Sequence, residues 1–361
     1  MENAILIMLG LSSIANVGRK TLRRAAQQEY RTNYSRDSVS NIQEALQVSA
    51  ELADLIKNQF SLEAAKRKYA YCRERNIHIL TRKDERYPGC LSEIPDPPEL
   101  LYAIGNLELL NKDKLSIVGT RTPTVYGKNV ACSLAQEIAD RGIPVVSGLA
   151  RGIDSQAHKG ALEAGGLTIG VLGCAIDQIY PNENKALFAR VKEYGLLLSE
   201  YPPGTAFNKG YFPERNRIIS GLSLGTIVVE AASRSGSLIT ADMAMEQGRD
   251  VFAIPGPIHS PKSAGCHYLI QQGAKLVHSI QDIIEEYPHL LSAPQNRQST
   301  EAGLTDEELV LLEQIPFDCI SLEALAAKIN IAASHLSYIL LSLQVKKYII
   351  QSPGPVYTRT R

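Results

Sequence analysis

Pro144-Val145-Val146-Ser147-Gly148-Leu149-Ala150-Arg151-Gly152-Ile153-Asp154 runs from an apolar triplet, through small residues, into helical spacing over Ile153–Ala164. A short apolar run without polar alternation is a strand buried on both faces. The same unit recurs on either side. Leu115-Ser116-Ile117-Val118 ends in Gly119 and precedes helical spacing over Asn129–Asp140. Leu167–Leu172 ends in Gly173, then comes a helix over Lys185–Tyr194 and a strand at Leu196-Leu197-Leu198. A helix over Arg217–Leu222, a strand over Thr226–Val229, a helix over Ser237–Gln247 and a strand over Asp250–Ile254 complete the alternation. Buried strands separated by helices predict an α/β fold, a doubly wound parallel sheet.

Outside this core the pattern changes. Residues 1–75 read as helical, with a break at Val17-Gly18 and a basic restart at Arg19-Lys20-Thr21-Leu22-Arg23-Arg24. A helix, a glycine turn and a second helix suggest a helix-hairpin-helix or similar unit, whose turn N–H groups can hold phosphate. Lys and Arg outnumber Asp and Glu there by 12 to 8, which fits a solvated basic face equally well. Residues 76–110 form a connector holding Pro88, Pro95, Pro97 and Pro98, with a short strand at Ile77-His78-Ile79-Leu80; the core domain is set at 76–288. Polar residues 289–303 read as a linker. From 304 to 361, a capping box at Thr305-Asp306-Glu307-Glu308 opens a helix to about Gln314, helices follow at Ser321–Ile329 and Ala333–Gln344, and Tyr348–Thr358 reads as a hairpin. Three helices and a hairpin predict a winged helix.

The 361 residues carry 38 Lys and Arg against 38 Asp and Glu, so any anion site is a local cluster rather than a basic coat. Such a cluster exists at Phe207–Arg217, where Lys209, Arg215 and Arg217 lie among Phe207, Tyr211 and Phe212. Cations neutralise phosphates and rings stack on bases, so the stretch suits single-stranded nucleic acid. A helix start with solvated charges is the other reading. In a doubly wound sheet, ligands bind outside the carboxyl ends of the strands. Those ends carry Gly119-Thr120-Arg121, the Ser147–Asp154 loop, and Glu230 followed by Ser235-Gly236-Ser237. Small residues admit a ligand to the backbone, helix N-termini offer N–H groups, and Arg121 adds a forked cation. Asp154 could simply cap its helix, and His158 suits packing better than catalysis.

No G-x-x-x-x-G-K-[ST], G-x-G-x-x-G, G-x-S-x-G or HExxH motif is present, which removes support for nucleotide hydrolysis, dinucleotide redox chemistry and metalloprotease chemistry. The six scattered cysteines contain no CxxC pair and fit buried thiols in a reducing cytoplasm. Neither a metal, a cofactor nor membrane insertion is expected.

Taken together, Gly119-Thr120-Arg121, Ser147-Gly148-x-Ala150-Arg151-Gly152-Ile153-Asp154, Tyr180-Pro181, Ser199-Glu200-Tyr201-Pro202, Phe212-Pro213-x-Arg215-Asn216-Arg217-Ile218-Ile219, Ser235-Gly236-Ser237 and Pro255-Gly256 resemble the DprA/Smf family of DNA-processing proteins, over about residues 80 to 285. The resemblance implies an extended Rossmann core that binds single-stranded DNA without catalysis. It also implies protection of incoming DNA in natural transformation, loading of a RecA-type recombinase, and a homodimer. By position, Arg121 would hold a phosphate, Lys209 and Phe212 would be the phosphate partner and stacking ring, and Arg215, Asn216 and Arg217 match the family's RNR run. The implied contacts are Gly119, Arg121, Ser147, Gly148, Arg151, Gly152, Lys209, Phe212, Arg215, Asn216 and Arg217. At Gly265-Cys266-His267-Tyr268-Leu269-Ile270 the family usually has Gly-Thr-Asn-x-Leu-Ile, so His267 departs from it. The last long helix of the winged unit, Ala333–Gln344, has no Lys or Arg, which a groove reader needs; contact with protein, or weak help from Lys346 and Lys347, fits better. The rival class is a nucleotide-processing enzyme resembling phosphoribohydrolases, whose Pro-Gly-Gly-x-Gly-Thr loop is absent here.

Overall fold

A computed structural model gives the fold and describes residues 2–28, 34–290, 305–316, 319–329, 333–346, 348–352 and 354–359. Nine strands form one sheet: β1 (His78–Thr81), β2 (Leu100–Gly105), β3 (Leu115–Val118), β4 (Val145–Ser147), β5 (Thr168–Leu172), β6 (Leu196–Ser199), β7 (Gly225–Val228), β8 (Asp250–Ala253) and β9 (Lys275–Leu276). Their order is β1-β2-β6-β5-β4-β3-β7-β8-β9. The chain winds outward from β3 to β6, then returns to β7 beside β3 and winds the other way. The doubly wound α/β core is therefore present, with its switch point between β3 and β7.

The sheet is not wholly parallel. β1 and β2 pair antiparallel with each other, and β2 pairs antiparallel with β6. β2 lies inside the segment read as a proline connector. Its run Leu100–Ile104 is fully apolar, but Pro95, Pro97 and Pro98 precede it directly, and prolines in sequence argue against a strand. Two helices begin earlier than their spacing predicts. One covers Val125–Asp140 and starts at Thr124, whose hydroxyl accepts from Gly127 N–H at 3.1 Å. The other covers Tyr211–Gly221, with Pro213 in its first turn, where a missing N–H costs nothing.

Burial alternates along the strands. Leu115, Ile117, Val145 and Ile227 pack with the helices Val125–Asp140 and Ile153–Glu163. Val118, Val146 and Val228 face the opposite side, with Ile218, Ile219, Ala241 and Ala244 from the helices Tyr211–Gly221 and Gly236–Glu246. The N-terminal residues form five helices, Glu2–Leu11, Arg19–Gln27, Val39–Leu46, Ala50–Gln59 and Leu62–Glu74. Ser38, Ser49 and Ser61 cap the last three by accepting backbone N–H bonds. Met8, Leu9, Ile42 and Ile56 share one apolar cluster with Tyr102, Leu172 and Leu197 of the sheet.

The expected linker lies, from residue 291 onward, outside the described residues, as does Lys347. Beyond it, helices Asp306–Gln314, Leu322–Lys328 and Ala333–Val345 pack with β10 (Ile320–Ser321), β11 (Ile349–Ser352) and β12 (Val356–Arg359), ordered β10-β12-β11. This is a winged helix. Thr305 N–H donates to Glu308 Oε2 at 2.6 Å and Glu308 N–H to Thr305 Oγ1 at 3.3 Å, so the capping box forms. Among the described residues no helix is long and apolar enough to cross a membrane.

The shared cluster carries a prediction. Leu9→Ala should cost about 2–5 kcal/mol in chemical denaturation, and the N-terminal helices and the sheet should unfold together. Separate melting of those helices, with the sheet unaffected, would contradict a common core.

Candidate nucleic-acid interface

The switch point opens into a cleft of about 410 Å³. Val118 and Ile219 form part of its floor, Gly119 and Arg121 one wall, and Ser235, Ser237 and Thr240 another. Phe212 and Asn216 enter from the helix Tyr211–Gly221. The second wall is the N-terminus of the helix Gly236–Glu246, where Ser235 is the cap and its hydroxyl lies 2.8 Å from that of Ser237. Exposed Arg121 faces this helix end across the cleft. A guanidinium and a helix N-terminus both favour an anion between them.

Backbone bonds fix the loops at the rim. Thr120 N–H donates to Glu230 O at 2.7 Å, and Ile153 N–H to Thr120 O at 3.2 Å. Gly152 has φ +81°, and a Cβ there would stand 2.3 Å from Thr120 O, so the close approach of these loops requires glycine. Leu149 is also left-handed, at φ +52°, and its side chain is buried. Side chains hold it in that conformation. Leu149 N–H donates to His158 Nε2 at 3.3 Å, and Asn184 Nδ2 donates to Leu149 O at 2.8 Å. His158 Nδ1 lies 2.7 Å from Thr168 Oγ1, whose own proton goes to Val145 O at 3.0 Å. Nδ1 must then be the protonated nitrogen, and the ring is a neutral spacer. Burial, and then the nearby Arg215 charge, push its pKa down to about 3. Asp154 Oδ2 accepts from Gly148 N–H at 3.1 Å. Burial raises the Asp154 pKa, opposed chiefly by Arg215.

Beside the cleft lies a cluster of rings. Tyr180 is 5.1 Å from Phe207 and 5.0 Å from Phe212, and Phe207 is 5.7 Å from Phe212, measured between centroids. Tyr180 and Phe207 remain 45% and 46% exposed, which leaves ring surface free for stacking. Exposed Lys209 sits between Phe207 and Phe212 in sequence. A shallow groove lined by Arg121, Gly148, Arg151, Tyr180 and Phe212 adjoins the rings.

The family model for DNA recombination-mediator protein A matches residues 78–288. The chain belongs to this family. It is 50% identical to the DNA processing protein DprA of Bacillus subtilis over 217 residues, which is 60% of this chain and 73% of that protein. It is 40% identical to the protein Smf of Escherichia coli over 298 residues, 79% and 78% of the two chains. The crystal structure of DprA from Streptococcus pneumoniae superposes with a TM-score of 0.69 at 38% identity, covering 79% of this chain and 98% of that one. The DNA processing protein A of Helicobacter pylori, whose structure is described as giving insight into its unique single-stranded DNA binding mode, superposes at 0.54 with 34% identity, covering 59% and 96%.

Within this family member, the structure brings Gly119, Arg121, Gly148, Phe212 and Asn216 to the cleft or the adjoining groove, with Lys209 exposed in the same stretch and Gly152 packed behind against the Thr120–Arg121 backbone. It corrects three of the expected side-chain contacts. Ser147 is fully buried, and its hydroxyl donates to Ile117 O at 2.6 Å. Arg215 is 4% exposed and donates through NH1 to Gly148 O at 2.7 Å and to Val171 O. Arg217 is buried and donates to both Glu200 oxygens, at 2.7 and 2.9 Å, and to Asp96 at 3.3 Å. Ser147 and Arg215 tie the strand ends together, Arg215 also lining the cleft, and Arg217 anchors the opposite face of its helix. Arg151 is exposed but forked onto Glu183 at 2.8 and 2.6 Å. The basic helix start after Gly18 is engaged as well: Arg23 pairs with Asp96 at 2.9 Å and Glu99 at 3.4 Å. Tyr180 had no role assigned from sequence, because nothing local places it against rings 27 and 32 residues further on. His267 Nε2 lies 3.0 Å from Gly256 O, so this departure from the family pattern acts on the loop at Pro255-Gly256.

His158 sets a pH dependence. Its folded pKa lies below the unfolded value, so its contribution is present above about pH 6.5. It is lost as pH falls towards 3, at about 1.4 kcal/mol per unit. Denaturation midpoints between pH 6.5 and 4 should fall less steeply in His158→Gln than in the parent. Equal slopes would show that His158 does not titrate on unfolding.

Proposed function

We propose that this chain is a single-stranded DNA-binding recombination mediator. In this reading Arg121 and Lys209 hold backbone phosphates, the helix N-terminus at Ser235–Ser237 supports a further phosphate, and bases stack on Phe212, Tyr180 and Phe207. The observation that carries it is three partly exposed rings beside exposed Lys209 and Arg121 at the carboxyl edge of the sheet. Stacking suits single strands because every base has a π-face, and in a duplex those faces are already covered by neighbouring bases. The binding mode described for the Helicobacter pylori relative supports the same ligand.

We further propose that it works in the cytoplasm by binding rather than by transforming DNA, protects incoming strands, and delivers them to a RecA-type recombinase as a homodimer. Met245, Ile258, Tyr268 and Leu276 are exposed large apolar side chains, which favours self-association. In the winged helix, Tyr338, Leu341 and Val345 expose an apolar stripe on a helix without Lys or Arg, which favours protein contact over groove reading.

Binding to an oligothymidylate, measured against salt, tests the site. Arg121→Ala and Lys209→Ala should each weaken affinity and lower the slope of log K against log salt by about 0.7. Phe212→Ala should cost about 1–3 kcal/mol with the slope unchanged. Unaltered affinity in all three folded variants would overturn the assignment. Release of free base from nucleoside monophosphates would instead favour the phosphoribohydrolase class.

A further inference from the structure

The helix Tyr211–Gly221 has two working faces. Phe212, Arg215 and Asn216 look into the cleft. Tyr211, Glu214 and Arg217 look the other way, towards the crevice between the sheet and the N-terminal helices. There the backing is ionic. Arg217 holds Glu200 at 2.7 Å and Asp96 at 3.3 Å. Arg19, at the start of the second N-terminal helix, reaches the same acids, Asp96 at 3.2 Å and Glu200 at 3.9 Å, and also Glu214 at 3.5 Å. Tyr201 donates to Glu214 at 3.3 Å, and its ring stacks on Tyr211 at 3.9 Å. Arg19 thus touches the binding helix directly through Glu214, and indirectly through the acids that hold Arg217.

We infer that Arg19 is a positioning residue for the DNA site. It clamps the back of the helix whose front presents Phe212, and so couples the N-terminal unit to strand binding without touching DNA. The inference rests on the single-stranded DNA reading. Its geometry has three supports. Glu200 and Arg217 are nearly buried, so their mutual geometry is fixed. Asp96 keeps Arg23 and Arg217 when Arg19 is removed, but Glu214 is partly exposed and its ion pair is with Arg19. Arg19 is the group that joins both to the N-terminal helix. A forked guanidinium can hold several carboxylates at once, which an ammonium does less well.

The test is a double-mutant cycle on the full chain, read in affinity for an oligothymidylate. Arg19→Ala should weaken binding about two- to fivefold, the lower part of the range of coupling between contacting residues. The loss should shrink in the Glu214→Gln background, and the salt slope should stay that of the parent. Additive losses, no loss, or a slope lower by about 0.7 would overturn the inference, the last because it marks a direct phosphate contact. Amide hydrogen exchange without DNA supplies an arm independent of binding. Residues 209–221 should exchange faster in Arg19→Ala, and unchanged exchange would count against positioning. If the parent fails to bind the oligonucleotide, the functional reading falls, and the exchange arm still decides whether Arg19 holds the helix. Glu214→Gln, an exposed and milder change, gives the same exchange readout if Arg19→Ala does not fold.

Discussion

Arg215 holds the cleft together. A buried guanidinium is tolerated only when its donors and charge are met. Here NH1 meets Gly148 O and Val171 O and Asp154 supplies opposing charge nearby, while the buried Nε has no hydrogen-bond partner among the described residues. One side chain therefore ties the loop after β4, the end of β5 and the helix Tyr211–Gly221. The constraint propagates. Gly148 must stay glycine, because a Cβ would lie 2.5 Å from the guanidinium. Leu149, next in the chain, takes a left-handed turn that His158 and Asn184 hold through its backbone N–H and C=O. Burial lowers the Arg215 pKa and Asp154 raises it again. The rim of the site stays where it is because a charge beneath it has no other place to go.

The sheet was legible because strands buried on both faces read as unbroken apolar runs, and β3 to β8 have that form. β2 has the same form but follows three prolines, so a local rule outweighed the pattern. Its strand is supplied by pairing with β6, a tertiary fact. Gly119 and Arg121 stood out in sequence as residues at a strand's carboxyl end, and Lys209 and Phe212 through the family resemblance; Gly119, Arg121 and Phe212 line the cleft. Arg215 and Arg217 could not be sorted. Sequence shows a cation and not its depth, and a buried guanidinium looks like an exposed one until its partners Gly148, Val171, Glu200 and Asp96 appear, 17 to 121 residues away.

The same blindness affected the N-terminal unit. Its excess of cations invited a phosphate-binding reading, yet Arg19 and Arg23 face Asp96, Glu99, Glu200 and Glu214. Acids of the core thus pair with part of the basic face that the first helices would otherwise present. What remains free at the cleft is a small number of charges on defined supports.

That economy of charge bears on which nucleic acid the site can select. Duplex and single strand both carry phosphates, so a surface rich in cations holds either. A cleft with Arg121 and Lys209 exposed, and Arg151 already paired with Glu183, draws limited energy from phosphates alone. Its larger resource is the triad Tyr180, Phe207 and Phe212, worth about 1–3 kcal/mol per stacked base. A duplex already stacks its bases on one another and would have to be opened to use those rings. On the proposed reading, discrimination for single strands would rest on withholding cations as much as on supplying aromatics, and burying Arg215 and Arg217 withholds them.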